Sequence, residues 1–237
     1  QERVGVNLAD GFSRVSNRRR IGVFSMQAGA GVENAFAGVA QAYADSSPIL
    51  LLAASVKLDH ADVAPNFSPT RSYRDVTKWV AQVNMPNRIP ELMRRAFSNL
   101  KIGRTGPVMI DIPSDILRGD VKVDVPPYIP VKPHRSSGDP QDVRDAAKAI
   151  CRARRPVIHA GQGVLYADAS KELIELAELV QAPVMTTLSG KSCFPENHPL
   201  SIGSGGMTTT GSVVHFLKKS DMVFGIGCSF SETAFGV

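Results

Sequence analysis

Cysteine is scarce in this chain of 237 residues, and Cys151, Cys193 and Cys228 show neither paired nor metal-ligand spacing. That scarcity argues against a disulfide framework and is typical of proteins in a reducing cytoplasm. Long apolar runs are also missing, since none approaches the roughly 20 residues that a membrane-spanning helix needs. We therefore predict a cytoplasmic protein that has no membrane partner.

Basic residues are in small excess, with 27 basic against 22 acidic residues and a net charge of +5. The densest basic cluster, Arg18-Arg19-Arg20, has no interleaved aromatic residues and no nucleic-acid motif. Isolated charge runs of this kind usually form solvated turns. We therefore predict no nucleic-acid partner. The hydrophobic content of 43% is typical of a globular protein. The length of 237 residues is sufficient for two domains.

In the first half of the chain, helix-period and strand-like stretches alternate. The predicted elements are a helix whose apolar face is Val4, Leu8 and Phe12, strands at 21–24, 48–53 and 107–113, and helices at 32–43 and 89–100. Gly29 and Gly31 lie between a strand and the helix that follows it, which is where α/β sheets bind ligands. They are therefore candidate binding residues.

Prolines at 126, 127, 130, 133 and 140 predict an extended linker over residues 119–140. The domains would then be 1–118 and 141–237. In the second domain the alternation resumes, with helices near 143–150, 173–180 and 213–217 and strands at 156–160, 183–187 and 222–227. The predicted fold class is α/β, with two doubly wound, mainly parallel-sheet units.

Glycines at or beyond the strand ends of the second domain are candidates for a nucleotide or FAD site. They are Gly161, Gly163, Gly206 and Gly227. The segments 190–191 and 203–206 are predicted to be loops. Asp59, His60 and Asp62 could suggest a metal site, but an exposed loop is the preferred interpretation because no further ligands stand at a recognisable spacing.

Several ordered motifs resemble the pyrimidine-binding domain of thiamine-diphosphate enzymes, in the acetolactate synthase-like branch. They are Glu2, the run Ala-Asp-Gly-Phe-Ser-Arg at 9–14, the turn Gly29-Ala30-Gly31 with Asn34, and Ala-Tyr-Ala-Asp-Ser-Ser-Pro at 42–48. Ala30 replaces the usual proline of the turn. The second half resembles the central domain of the same enzymes. The chain is thus identified as a fragment, in which the start of the first domain and the end of the second are expected to be missing.

This resemblance implies thiamine diphosphate as cofactor and a 2-oxo acid as substrate, with C–C bond cleavage or formation in a homodimer or homotetramer. Glu2 would be the catalytic carboxyl that hydrogen bonds to the pyrimidine ring, and Gly29, Ala30, Gly31 and Asn34 would line the pocket. The family holds Mg²⁺ through a Gly-Asp-Gly motif, which this sequence does not contain. The magnesium ligands would then lie in a missing domain, and the isolated fragment should be inactive.

Departures from the family pattern leave alternatives open. Phe67 is followed by Ser68-Pro69 where acetolactate synthases have Phe-Gln-Glu, so a 2-oxo acid decarboxylase remains possible. Ser229 stands where flavin-binding members have arginine, and the segment 206–209 lacks their histidine, which disfavours FAD. A non-catalytic nucleotide-binding or assembly module is a further alternative. A dehydrogenase ranks last because no full Gly-x-Gly-x-x-Gly fingerprint occurs.

Overall fold

The computed structural model describes residues 1–119, 129–134, 136–206 and 209–231. The chain divides into two compact units, Gln1–Ser136 and Ser137–Val237. Each unit contains a four-stranded sheet in which all the strand pairs are parallel. The predicted fold class, two mainly parallel α/β units, is therefore confirmed.

The first unit orders its strands β1-β2-β4-β3. Its strands are β1 (Gly22–Met26), β2 (Ile49–Ser55), β3 (Trp79–Gln82) and β4 (Val108–Pro113), and its helices are α1 (Glu2–Val15), α2 (Ala30–Ala44), α3 (Pro69–Ser72), α4 (Ile89–Lys101) and α5 (Ser114–Arg118). Alternate residues of β2 and β4 point to opposite faces of the sheet. Leu51 and Met109 join the core beneath α1 and α2, whereas Leu50 and Ile110 join the core beneath α4.

The helix predicted from Val4, Leu8 and Phe12 forms as α1, but the predicted face is wrong. These three side chains are 53%, 69% and 46% exposed, and the buried residues of α1 are Val6, Ala9, Asp10 and Ser13. Small residues explain which face of α1 is buried. The two helices pack so closely that a Cβ at Gly38 of α2 would lie only 2.4 Å from Val6 Cγ1. Close helix packing therefore selects α1's small-residue face and leaves its larger apolar side chains outside.

The second unit orders its strands β7-β6-β5-β8. Its strands are β5 (Pro156–Ala160), β6 (Val184–Thr186), β7 (Ser201–Ser204) and β8 (Met222–Ile226), and its helices are α6 (Pro140–Arg152), α7 (Gln162–Ala167), α8 (Ser170–Val180) and α9 (Gly211–Lys219). Asp139 caps α6, since its carboxylate accepts a hydrogen bond of 2.7 Å from the Gln141 amide. The core lies between β5, β6 and α8, and includes Ile158, Leu173 and Val184.

The prediction of a loop at 203–206 is wrong at its start, because Gly203 and Ser204 end strand β7. This strand has little apolar character and its register with β6 shifts between Val184 and Met185, so periodicity did not reveal it. Part of the predicted linker, residues 120–128 and 135, lies outside the described residues. The division between the units falls inside 119–140, and the domain bounds at 118 and 141 stay predictions.

Candidate functional site

The amino ends of α1 and α2 meet at one place in the first unit. Glu2 is the first residue of α1, and Gly29 precedes α2 with φ +68°, a left-handed conformation that favours glycine. A Cβ at Gly31 would lie 3.3 Å from Glu2 Oε1 and 2.6 Å from Gln27 Cγ. The Glu2 carboxylate therefore lies close against Gly31, and a side chain at position 31 would displace it.

A cavity of about 200 Å³ opens at this meeting point and is lined by Gln1, Glu2, Arg3 and Asn34. Glu2 is half-buried, so its carboxylate can reach the cavity while remaining in contact with the protein. Two of the predicted site residues, Glu2 and Asn34, thus line one cavity, and Gly31 lies beside it. Arg3 was not anticipated by the motifs, and only its place after Glu2 could have suggested it.

The run at 9–14 holds the fold together instead of lining the cavity. Arg14 Nε lies 2.9 Å from Asp10 Oδ1, and Arg14 Nη1 lies 2.8 Å from Asp45 Oδ2, which joins α1 to the end of α2. Burial opposes the charge of Arg14, but hydrogen bonds and attraction from both carboxylates outweigh it and raise the pKa of Arg14. Both motifs that contain these acids therefore have a structural role in this unit.

Ser13 completes this structural network. Its Oγ donates a hydrogen bond of 2.6 Å to the Pro48 carbonyl and accepts one of 2.8 Å from the Gly22 amide. One buried hydroxyl thus links α1 to the first residue of β1 and to the start of β2. These hydrogen bonds satisfy buried polar groups and fix the position of α1 relative to the sheet.

Tyr73 is a residue that sequence reasoning missed. Its side chain is fully buried, its hydroxyl donates to the Val32 carbonyl in the first turn of α2, and its ring meets Phe36 edge-on at 5.3 Å. Burial raises the pKa of Tyr73, so the hydroxyl keeps its proton at neutral pH. Tyr73 therefore anchors the segment before β3 against the helix that borders the cavity.

Asp59, His60 and Asp62 are exposed, as the preferred interpretation held, but Leu58–His60 form a short 3-10 helix instead of a loop. Asp59 Oδ1 lies 2.6 Å from His60 Nδ1, and this hydrogen bond lowers the pKa of Asp59. Asp62 instead pairs with Arg71. Across the described ranges, no group of three or more His, Cys, Asp or Glu is placed to hold a metal ion.

Lys78 has a structural role and is half-buried. Its Nζ donates hydrogen bonds to the carbonyls of Asn99 at 2.7 Å and Ile102 at 2.5 Å, at the end of α4. A cation at this position satisfies carbonyls that the helix cannot pair and complements its dipole. Burial lowers the pKa of Lys78.

In the second unit the structure brings together three of the four candidate glycines. The Gly161 amide donates 2.9 Å to the Ile226 carbonyl, and the Gly163 amide donates 2.8 Å to the Gly227 carbonyl. A Cβ at Gly161 would lie 2.3 Å from the Gly227 oxygen. Close packing of the loops after β5 and β8 against each other thus explains why glycine, which has no side chain, is required at these positions. Gly206 lies in the loop after β7, and its amide bonds to Thr209 Oγ1 at 3.2 Å.

The Gly161 and Gly163 amides are not available to the phosphates of a flavin. Backbone amides bind phosphate oxygens only where they have no other acceptor, and the amides of Gly161 and Gly163 donate hydrogen bonds to the carbonyls of Ile226, the last residue of β8, and of Gly227. Ser229 supplies no charge where the flavin-binding pattern has arginine. Met207 and Thr208, the middle of the predicted 206–209 segment, lie outside the described residues.

Comparison with known protein families matches both units. The N-terminal TPP binding domain of thiamine pyrophosphate enzymes matches residues 1–85, and the central domain of these enzymes matches residues 143–236. The chain belongs to the thiamine pyrophosphate enzyme family. The predicted resemblance is therefore confirmed for both halves of the chain.

Curated members of the thiamine pyrophosphate enzyme family extend the match. A probable acetolactate synthase large subunit of Methanocaldococcus jannaschii is 40% identical over 246 residues, which cover 99% of this chain and 41% of that protein. An acetolactate synthase large subunit of Corynebacterium glutamicum is 35% identical over 243 residues, with 96% and 37% covered. The chain thus spans about two fifths of the length of these relatives.

Proposed function

We propose that the chain is part of a thiamine-diphosphate-dependent transferase or lyase that makes or breaks a C–C bond beside the carbonyl of a 2-oxo acid, as an acetolactate synthase-like carboligase does. The observation that supports this function best is the Glu2 carboxylate against Gly31 at the cavity that Asn34 also lines. A glycine beside a carboxyl group leaves room for a flat ring to approach and hydrogen bond to it.

Thiamine diphosphate, when bound, supplies the electron sink that stabilises a carbanion. Glu2 would hold the pyrimidine ring by a hydrogen bond from its carboxyl group and pass a proton to and from a ring nitrogen. A carboxyl group does this best when it is partly shielded from water, and the half-buried position of Glu2 provides such shielding. Asn34 and the turn Gly29-Ala30-Gly31 would border the ring.

The diphosphate and Mg²⁺ would be held by residues from a further domain, since the described residues contain no suitable metal-binding group. We therefore expect the 237-residue chain alone to bind thiamine diphosphate only weakly, with or without Mg²⁺. Titration calorimetry of the chain with the cofactor checks this. Micromolar binding would contradict it and would show that the diphosphate site lies within this sequence.

A second copy of the chain is the proposed partner, in a homodimer or homotetramer. Its support is the outer stripe of α1, where Val4, Leu8, Phe12 and Val15 are 46–84% exposed along the helix whose first residue lines the cavity. A contiguous apolar stripe of this kind marks an interaction surface.

Leu8→Glu should therefore weaken self-association by about tenfold or more, because it places a charge in the apolar stripe. Sedimentation velocity over a concentration series measures the effect. Leu179→Glu is the matched control, since Leu179 is 80% exposed on α8 of the second unit. If both variants associate like the wild type, the α1 stripe is not the interface.

A 2-oxo acid decarboxylase of the same family is the second candidate, and the observation that favours it is Ser68-Pro69 after Phe67 in place of Gln-Glu. Product analysis with pyruvate, in a polypeptide that also contains the diphosphate-binding domain, separates the two, because a decarboxylase releases acetaldehyde whereas a carboligase couples two substrate molecules. We place the enzyme in the cytoplasm, on the support of its few and unpaired cysteines. In the described residues no helix combines the length and apolar character needed to cross a bilayer.

A further inference from the structure

The amino ends of the strands of the first sheet form a basic edge. All strand pairs in this sheet are parallel, so the segments that precede the strands lie side by side along one edge of the sheet. We call this surface the amino edge, and its segments are 16–21, 45–48, 77–78 and 101–107. The acid in these segments is Asp45, which pairs with Arg14 at 2.8 Å. The cations in them are Arg18, Arg19, Arg20, Lys78, Lys101 and Arg104.

Hydrogen bonds hold the loops of the amino edge in place. Arg104 Nε donates a hydrogen bond of 2.7 Å to Ser46 Oγ, and Thr105 Oγ1 donates one of 2.6 Å to the Ser46 carbonyl. These two bonds join the loops before β2 and β4. In the turn before β1, the Arg20 amide donates a hydrogen bond of 3.2 Å to Ser16 Oγ. The cations therefore extend from fixed backbone, and less conformational entropy is lost when a partner binds them.

Neutral oxygens accept the hydrogen bonds of three cations of the amino edge. Lys78 Nζ donates to carbonyls at the end of α4, Lys101 Nζ donates 3.1 Å to the Val131 carbonyl, and Arg104 donates to a serine hydroxyl. A neutral acceptor satisfies an N–H group without cancelling the positive charge. Burial lowers the pKa of Lys78, and repulsion from Arg18 lowers it further. Like charges thus interact across this edge, and an anionic partner is attracted to it.

The extent and composition of the amino edge favour a protein as that partner. Adjacent strands lie about 4.8 Å apart, so four strand ends extend over roughly 14 Å, more than a single phosphate or carboxylate group can contact. Tyr43, near the end of α2, is 44% exposed, and its Cδ2 would lie 3.8 Å from a Cβ at Gly106 of the edge. Tyrosine and arginine are enriched where proteins bind each other. Single-stranded nucleic acids instead stack on rows of aromatic side chains, which the sequence of these segments does not contain.

We propose that the amino edge binds an acidic segment of a partner protein, in which Asp and Glu are concentrated. Arg20 and Arg104 are exposed, and their planar guanidinium groups would pair with the carboxylates of that segment in a bidentate manner. Tyr43 would contact its apolar atoms.

The partner would bind without covering the cofactor cavity. Helix α2 begins beside that cavity, which Asn34 lines, and it ends next to Asp45 of the amino edge. Its 15 residues extend over about 22 Å, so the amino edge and the cavity are at opposite ends of the sheet. This interaction is therefore independent of the proposed catalytic role of Glu2.

The test is binding of a fluorescein-labelled decamer of glutamate to the 237-residue chain, measured by fluorescence anisotropy. The decamer should bind saturably, and its dissociation constant should rise about fivefold or more between about 50 mM and about 200 mM sodium chloride, because salt screens exposed ion pairs. The absence of binding, or binding that salt does not change, would overturn the proposal. A decamer of thymidylate that binds as tightly would overturn the choice of an acidic protein as partner.

Paired variants that remove equal charge make the test specific. Arg20→Gln combined with Arg104→Gln removes two exposed cations of the amino edge and should weaken binding of the glutamate decamer about fivefold or more. Arg144→Gln combined with Arg152→Gln removes two exposed cations of α6 in the second unit and should leave the affinity within about twofold of the wild type. Equal losses in both pairs would show that net charge alone attracts the peptide and would refute the site.

Hydrogen exchange of the wild-type chain is a second measurement, which keeps the proposal testable should the Arg104→Gln chain fold poorly. Binding of the glutamate decamer should slow exchange of the amides at 18–22 and 103–106. The amides at 27–34, beside the cavity, should exchange at an unchanged rate. Protection that appears only outside the amino edge would contradict the proposal.

Discussion

Replacing Glu2 by glutamine is expected to slow deuterium exchange at the thiazolium carbon of bound thiamine diphosphate by about 10²-fold or more. The amide keeps the shape of the side chain against Gly31 but cannot pass a proton to and from the pyrimidine ring. Cofactor binding should fall only modestly, because one neutral hydrogen bond can replace the charged one. Exchange is measured by nuclear magnetic resonance after acid quench, in a polypeptide that also contains the diphosphate-binding domain.

Glu33→Gln is the matched control for this experiment. Glu33 lies next to Asn34 in the first turn of α2, but its side chain is exposed and does not line the cavity. Its removal should leave the exchange rate within about twofold of the wild type, as expected for an acid that is not placed for proton transfer. Wild-type exchange in Glu2→Gln would show that another group activates the cofactor, and the assignment of this cavity would then fail.

Replacing Gly161 by alanine should lower the free energy of unfolding of the second unit by about 3 kcal/mol or more. The added Cβ would lie 2.3 Å from the Gly227 oxygen and 2.5 Å from Cys228 Cα, and both of these are backbone atoms that cannot rotate away. The loops after β5 and β8 would have to separate, and this would break the backbone hydrogen bonds that join them. Hydrogen exchange of the β5 and β8 amides, followed by mass spectrometry, reports on this unit separately.

Gly211→Ala provides the comparison at a glycine of the same unit. No heavy atom would lie within 4 Å of its added Cβ, and Gly211 begins helix α9. Alanine is favoured over glycine in helices, so stability should stay the same or rise by up to about 1 kcal/mol. If Gly161→Ala and Gly211→Ala behave alike, mutual packing does not explain the glycines of this unit.

Much of the fold follows from local patterns, and its exceptions have physical reasons. The hydrophobic periodicity of α4 predicts both its extent and its buried face. For α2 it predicts the extent and the buried Val32, Ala35 and Val39, but Phe36 and Tyr43 of the predicted face are exposed. Periodicity does not predict the buried face of α1, since small residues decide which face it packs. Strands β3 and β7 are each only four residues long and only partly buried, too short for periodicity in the sequence to reveal them.

The sequence motifs named residues of the candidate site, but they did not distinguish the residues that line the cavity from those that stabilise the fold. The motifs pointed to Glu2, Gly31 and Asn34, and the structure brings these three residues to one place, while their roles stay predictions. Whether a motif residue lines a cavity or fixes the fold depends on partners distant in sequence, such as the carbonyl of Pro48 for Ser13. Periodicity contains no information on such pairs. For the same reason, the sequence did not predict that the glycines at 161, 163 and 227 pack against one another.

The outer strands of the two sheets have a consequence for the isolated chain in solution. Strand β1 ends the first sheet and β8 ends the second, so within the described residues each has ladder partners on one side only. Natural proteins protect such edges with charged residues or proline, and neither Gly22–Met26 nor Met222–Ile226 contains either. These two strands are therefore templates on which other molecules could add β-structure, and aggregation of the isolated chain would begin there.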